Sequence, residues 1–130
     1  MDKGIILENP NKKILVVDDD PEITMIIRDI LESQHYKVFC AKDGPHAVQK
    51  ADEKKVDLIL LDIQMPSLSG FWFCDLFKKK PSTKNIPVVM VSALSDEKDI
   101  RKARELGAAG YLKKPFQASD LLATVEKALA

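Results

Sequence analysis

Four short apolar runs, each delivering a reactive side chain at or near its end, constrain this chain more than any other feature. They are ILVVDDD at 14–20, DLILLD at 57–62, IPVVMVS at 86–92 and GYLKKP at 110–115. Uninterrupted apolar runs of this length suit strands buried on both faces, as in a parallel sheet covered by helices. The residues delivered are the pair Asp18 and Asp19, then Asp62, Ser92 and Lys114. In open parallel α/β sheets, ligands and chemistry gather outside the carboxyl ends of the strands.

The stretches between the runs carry helical periodicity. Asp20-Pro21-Glu22 reads as a helix start, with Asp as cap, Pro at the first position and Glu at the positive end. Ile23, Ile26, Ile27, Ile30 and Leu31 then follow at three- and four-residue spacing, one apolar helix face. The sequence predicts strands near 14–17, 36–41, 56–61, 86–91 and 109–112. It predicts helices after each: from Pro21, from Asp43-Gly44, from about Phe71 to Lys79, from Ser95-Asp96 with Gly107 just past the end, and from a Ser119 cap. Residues 65–70 are expected to form a loop, and 52–55 a surface turn of mixed charge. Trp72 is expected in partial core and Lys78 to Lys80 at a solvated helix end. Alternating strands and helices make this an α/β fold with a parallel sheet and five strand–helix units.

Composition excludes several classes. The 130 residues include 20 basic and 20 acidic side chains, so no net field draws the chain to nucleic acid or to an anionic membrane. No apolar stretch approaches the roughly 18 residues that would suggest a membrane span. The opening MDKGIILENPNKK is too short and too broken for a secretory signal. A cytoplasmic protein is expected, with no direct nucleic-acid contact and no membrane insertion. Cys40 and Cys74 fit neither a metal-binding spacing nor a disulfide framework and read as buried reduced thiols.

Three acids on neighbouring strand ends would repel, at about 4 kcal/mol for two like charges at close range near a surface. A divalent cation with a taste for oxygen, Mg²⁺ above all with Mn²⁺ as the other candidate, offsets that repulsion. A cation bridging to a phosphoryl group also neutralises charge that develops during transfer. Asp62 can then serve as a nucleophile and form an aspartyl phosphate, while Ser92 and Lys114 meet its oxygens. These residues point to a phosphorylation switch.

The motifs ILVVDDDP, DLILLDIQMPSLSG, IPVVMVSA and GAAGYLKKPF together resemble the receiver domain of two-component response regulators. The match runs over roughly residues 12–129, similar in extent to the single-domain regulators of chemotaxis type, with 1–11 as an N-terminal extension and 12–130 as the domain. The resemblance implies a doubly wound, flavodoxin-like five-stranded sheet in the order 2-1-3-4-5. It implies Asp62 as phosphoacceptor, Asp19 as direct metal ligand, Asp18 as the acid that helps hold the metal, and the backbone carbonyl of Gln64 as a further ligand. Ser92 matches the hydroxyl that moves onto the phosphoryl group, with small Ala93 beside it. Lys114 matches the phosphoryl-contacting lysine, before a cis bond to Pro115, and Tyr111 the aromatic switch. Lys113 should point to the other face of its strand.

The resemblance also implies partners: a sensor histidine kinase or a histidine phosphotransfer protein as donor, and an output partner that the sequence does not name. The switch would act through the fourth helix, fifth strand and fifth helix. The chain would not be an enzyme acting on a substrate, although it would catalyse its own Mg²⁺-dependent phosphorylation and slow dephosphorylation. Gln64 and Leu94 occupy positions that vary in the family near the path of attacking water, so bulky Leu94 is expected to slow phosphate loss. Ala109-Gly110 stands where winged-helix regulators carry an acidic dimer pair, so a monomer or weak dimer is expected. A stand-alone protein and a receiver cut from a longer regulator both stay open.

Three other readings compete. A phosphatase with Asp18 as nucleophile would use Asp18-x-Asp20, but Pro21 replaces the small turn such enzymes need. A receiver-like module that binds partners without phosphate keeps no reason for the intact acids, Ser92 and Lys114. A flavin-mononucleotide binder would need a Gly/Ser/Thr phosphate loop after the first strand, and Asp18-Asp19-Asp20 stands there instead.

Overall fold

A computed structural model describes residues 11–66 and 69–130. The expected extension over 1–11 therefore falls, apart from Asn11, outside the described residues, as do positions 67 and 68 of the loop before the third helix.

The elements alternate strictly: β1 Lys13–Val17, α1 Pro21–Glu32, β2 Lys37–Ala41, α2 Gly44–Lys54, β3 Leu58–Leu61, α3 Gly70–Lys79, β4 Val88–Ser92, α4 Glu97–Glu105, β5 Gly110–Lys113 and α5 Ala118–Leu129. All strand pairs are parallel, and the sheet order is β2-β1-β3-β4-β5. The α/β doubly wound architecture is the expected one.

Side-chain alternation along the strands builds two cores. Leu15, Val17, Ile59, Leu61, Val88 and Met90 face Ala47 and Ala51 of α2, Phe73 and Phe77 of α3, and Ala103 of α4. Ile14, Val16, Leu58, Leu60, Val89 and Val91 face Ile27 and Leu31 of α1 with Leu121 and Val125 of α5. Both strand faces are covered, which is why β1, β3 and β4 carry no polar alternation. Fully burying each such side chain contributes about 1.5–3 kcal/mol, so the central strands supply much of the stability on which the strand ends are held.

Several boundaries and environments differ from the sequence reading. The fifth strand is Gly110–Lys113, because the ladder pairs Val89 with Gly110 and Ser92 with Lys113. The last helix is capped by Gln117, not Ser119: Asp120 folds back to accept the Gln117 N–H at 3.2 Å, completing a capping box. Asp52, Glu53 and Lys54 finish α2 and are no turn, and Lys55 closes that helix in the left-handed region at φ 51°. Asp96 is the N-cap of α4 but makes no side-chain capping bond.

Ile26 is exposed with its neighbour Met25, since only Ile27 and Leu31 of the α1 stripe are fully buried. Trp72 is 53% exposed, not core; Phe73 beside it takes the inward position and meets its ring edge-on at 5.0 Å. Cys74 is buried, but Cys40 is only half-buried. Lys78 is tucked in to donate to the Ile86 carbonyl at 2.9 Å, whereas Lys79 and Lys80 pair with Asp75 and Asp52.

Gly107 takes φ 98° just past α4, a conformation that L side chains rarely adopt, as its expected place after the helix requires. Among the described residues, no helix is long and apolar enough to cross a membrane.

Candidate functional site

The acids reach one place because the parallel ladder aligns the strand ends. Val17 lies opposite Ala41 on one side and Leu61 on the other. Backbone bonds continue one step past the strands: Asp18 N–H to the Ala41 carbonyl at 3.1 Å, and Asp62 N–H to the Val17 carbonyl at 2.9 Å. Lys114 is tied in the same way, its N–H donating to the Ser92 carbonyl at 2.9 Å. The Lys114–Pro115 peptide is cis.

One carboxylate oxygen each from Asp18, Asp19 and Asp62 lie within 4.8 Å of one another. Asp18 and Asp62 are buried and Asp19 is exposed. The Lys114 ammonium sits 2.6 Å from Asp18 Oδ2 and 3.7 Å from Asp62 Oδ1. Its tighter partner is thus Asp18, a pairing that the sequence reading did not foresee. Asp18 Oδ1 also accepts the Asp20 N–H at 2.9 Å, so both of its oxygens are engaged. Asp20 is the expected cap of α1, accepting the Glu22 N–H at 2.9 Å.

Asp62 is less well satisfied. Its Oδ1 accepts the Gln64 N–H at a long 3.3 Å. Burial first, and then the negative charge of Asp18, raise its pKa to about 6, against the opposing pull of Lys114. Desolvation disfavours the anion and a second carboxylate compounds the penalty. A metal cation in front of the three acids would relieve both. All the available donors are oxygens, the set that suits Mg²⁺.

The approach of α3 is set by Gly70. A Cβ there would lie 2.1 Å from the Asp62 carbonyl oxygen, so only glycine lets the helix start against the loop that carries Asp62. Its N–H donates to the Ile63 carbonyl at 2.8 Å, fixing that loop. The sequence showed a glycine closing a loop; the backbone contact was invisible there.

Ser92, the last residue of β4, is fully buried, and its Oγ accepts the Leu94 N–H at 3.2 Å. Tyr111 donates its phenol hydrogen to the Leu94 carbonyl. Leu94 therefore links serine and tyrosine through its backbone. Burial raises the Tyr111 pKa, keeping the phenol a neutral donor. The Leu94 side chain is half-buried and packs against the core shared with α3 and α4. Lys113 is exposed, whereas the next residue, Lys114, is the lysine that reaches the acids. The geometry thus gathers Asp18, Asp19, Asp62 and Lys114 at one point, with Ser92 and Tyr111 linked beside them through Leu94.

The sequence reading assigned nothing to the carboxyl end of β2. There Cys40, Ala41, Lys42, His46 and Lys50 line a cavity of about 410 Å³ whose other wall includes Asp18 and Asp19. Applying the strand-end rule to β2 as well would have singled out these positions.

Comparison with known proteins agrees with this geometry. The model of the response regulator receiver domain matches residues 14–126. The chain is 39% identical over 119 residues to the alkaline phosphatase synthesis transcriptional regulatory protein PhoP of Bacillus subtilis, covering 92% of this chain and 49% of that protein. It is 39% identical over 117 residues to the transcriptional regulatory protein CpxR of Escherichia coli, covering 90% and 49%. The chain spans about half the length of these curated relatives. Among solved structures, the chemotaxis protein CheY4 of Vibrio cholerae superposes with a TM-score of 0.87 at 31% identity, over 92% of this chain and 99% of that one. Acids, serine and lysine at the strand ends of a 2-1-3-4-5 sheet, with matches over nearly the whole chain, place it in the family of response regulator receiver domains of two-component systems.

Proposed function

We propose that this receiver domain, spanning 12–130, is a cytoplasmic phosphorelay switch in which Asp62 accepts a phosphoryl group from a phosphohistidine. The observation that carries the reading is the convergence of three carboxylates within 4.8 Å, with the Lys114 ammonium 3.7 Å from Asp62. Asp18, Asp19, Asp62 and the Gln64 backbone carbonyl are the donors that would hold Mg²⁺, or Mn²⁺ in its place. The bound cation supplies charge neutralisation for the phosphoryl oxygens.

A carboxylate oxygen of Asp62 bonds to phosphorus while the phosphorus–nitrogen bond to the donor imidazole breaks. The imidazole nitrogen keeps the electron pair and takes a proton from water. Asp62 must be ionised to attack, and with a pKa of about 6 it is mostly so at neutral pH even before a cation lowers it further. Lys114 pairs with one phosphoryl oxygen as a point charge, and the Ser92 hydroxyl donates to another. Reversal follows when water adds to phosphorus and the acyl phosphate bond breaks, returning carboxylate and inorganic phosphate. Leu94 and Gln64 flank that path, and apolar Leu94 slows it. Leu94→Glu should speed phosphate loss severalfold, measured as decay of the phosphorylated mass; an unchanged half-life would remove Leu94 from this role.

Movement of Ser92 toward the phosphoryl group pulls on Leu94, whose carbonyl holds Tyr111. That chain of contacts couples Asp62 to the face made by α4, β5 and α5, where an output partner would bind. Met25 and Ile26 expose apolar surface on α1, the helix that follows Asp18 and Asp19, and suit docking of the histidine kinase or phosphotransfer protein. The domain acts as a monomer or weak dimer.

The decisive experiment is intact-mass spectrometry after incubation with a small-molecule phosphodonor, with and without Mg²⁺. A Mg²⁺-dependent phosphate adduct lost in Asp62→Asn supports the switch. No adduct would mean a phosphate-independent interaction module. An adduct that survives Asp62→Asn and maps to Asp18 would mean phosphatase-like chemistry instead.

A further inference from the structure

We infer that the cavity between the carboxyl ends of β1 and β2 is a second ligand site, for a small organic anion bound together with the cation at the acids. This inference rests on the metal reading above. The space of about 410 Å³ falls within the range of roughly 300–1,000 Å³ typical of small-molecule pockets.

Its walls differ in charge. Asp18 and Asp19 line it from the end of β1; Lys42, His46 and Lys50 line it from the end of β2 and from α2, together with Cys40 and Ala41. The acidic side is already half-compensated, because Lys114 pairs with Asp18. A cation at the acids would compensate the rest and leave the opposite wall in excess. On that wall, Lys42 is exposed and makes no ion pair among the described residues. Lys50 donates to the Cys40 carbonyl, a neutral acceptor, and so keeps an uncancelled charge. His46 is held by Asp43, its Nδ1 2.7 Å from Asp43 Oδ1, so that acid is bonded first to the imidazole and Lys42 acts on it only as a weaker, unbonded charge.

These features state the ligand class. An anionic head would pair with Lys42 and Lys50, and a short carbon body would lie on Cys40, Ala41 and the ring of Pro21. A carboxylate and a phosphate monoester both present that chemistry. Because the acids and the lysines share one cavity, cation and anion strengthen each other by the same factor. The site would let a small metabolite favour the metal-loaded domain.

The test is amide-resolved NMR titration of the whole chain with benzoate, phenyl phosphate and neutral benzyl alcohol, in MgCl₂ and in chelator. Saturable shifts at Ala41, Lys42 and His46 are expected for one or both anions, and the stronger of the two identifies the head group. Benzyl alcohol should give none. Lys42→Gln should weaken binding about tenfold, as loss of one hydrogen bond to a charged group requires, and Lys50→Gln similarly. Affinity should fall severalfold in chelator. Shifts confined to Asp62, Ser92 and Lys114, equal binding of benzyl alcohol, or equal affinity in MgCl₂ and chelator would each overturn the inference. Mg²⁺ alone reports on the metal reading in the same spectra, through Asp19 and Gln64. Cation shifts without anion shifts would sink only the second site; no cation shifts would sink the metal reading as well.

Discussion

The two ends of the sheet treat their carboxylates in opposite ways. At the amino end, Asp52 accepts from Lys80 and from Ser82, the latter at 2.7 Å, and its pKa is lowered, first by the Lys80 bond and then by the Ser82 bond. Asp57 accepts the Lys13 N–H at 2.8 Å, and buried Thr83 donates to the Phe77 carbonyl at 2.8 Å. At the carboxyl end, Asp62 is buried beside another acid, its best backbone donor is 3.3 Å away, and its pKa is raised to about 6. The first end fastens α2 to the turn before β4. The second gathers three carboxylates around the single ammonium of Lys114, so the fold neutralises their charge only in part, and a cation would offset the rest. Strongly perturbed acids in a cleft mark functional sites for this reason.

Replacing Lys114 attacks that contrast hardest. Lys114→Met should destabilise the metal-free protein by about 3–5 kcal/mol, the usual cost of leaving a buried charge unpaired, here Asp18. Urea unfolding in chelator measures it, and MgCl₂ should recover much of the loss. A change below about 1 kcal/mol, the range of surface pairs, would show that solvent already screens Asp18.

Removing the Asp62 charge should do the reverse. The folded-state pKa lies above the ordinary carboxylate value, so wild-type stability is fully present in acid and falls as pH rises from about 4 through about 6. Asp62→Asn lacks that decline. Without metal at pH 7.5 it should be more stable than wild type by up to about 3 kcal/mol, and at pH 3 the two should match. Thermal melts across pH in chelator would show it. A variant less stable than wild type at pH 7.5 would mean that Lys114 already neutralises Asp62.

The smallest effect belongs to the other end. Asp52→Asn should cost about 0.5 kcal/mol or less, since the pair with Lys80 is solvent-screened. Its sign with pH is opposite: the folded pKa is lowered, so the stabilisation exists at neutral pH and disappears as pH falls through the folded value. Parallel pH profiles for the Asp52 and Asp62 variants would erase the distinction between the two ends.

Much of this arrangement is legible in the chain. The unbroken apolar runs of β1, β3 and β4 can be read because a strand covered on both faces leaves no polar position. Asp20 and Gly107 can be read because capping is local chemistry, decided within a few residues. The α5 cap shows where local reading stops. Ser119 and Gln117 are both plausible starts, and the choice falls to Gln117 because Asp120 returns to its N–H. Ile26 and Trp72 show a second limit. Periodicity marks an apolar stripe, but the width of the stripe that the sheet covers depends on how each helix sits against it.

What the sequence determined by itself is the set of strands and which acids, hydroxyl and lysine stand at their ends, since each is written in contiguous runs. Only the tertiary structure decided which acid Lys114 prefers, a pairing across 96 positions, and how close α3 comes at Gly70. It alone brought Lys42, His46 and Lys50 to face Asp18 and Asp19 across a cavity. Those relations lie between strands and helices far apart in the chain, where burial and distance set the charges and no local pattern records them.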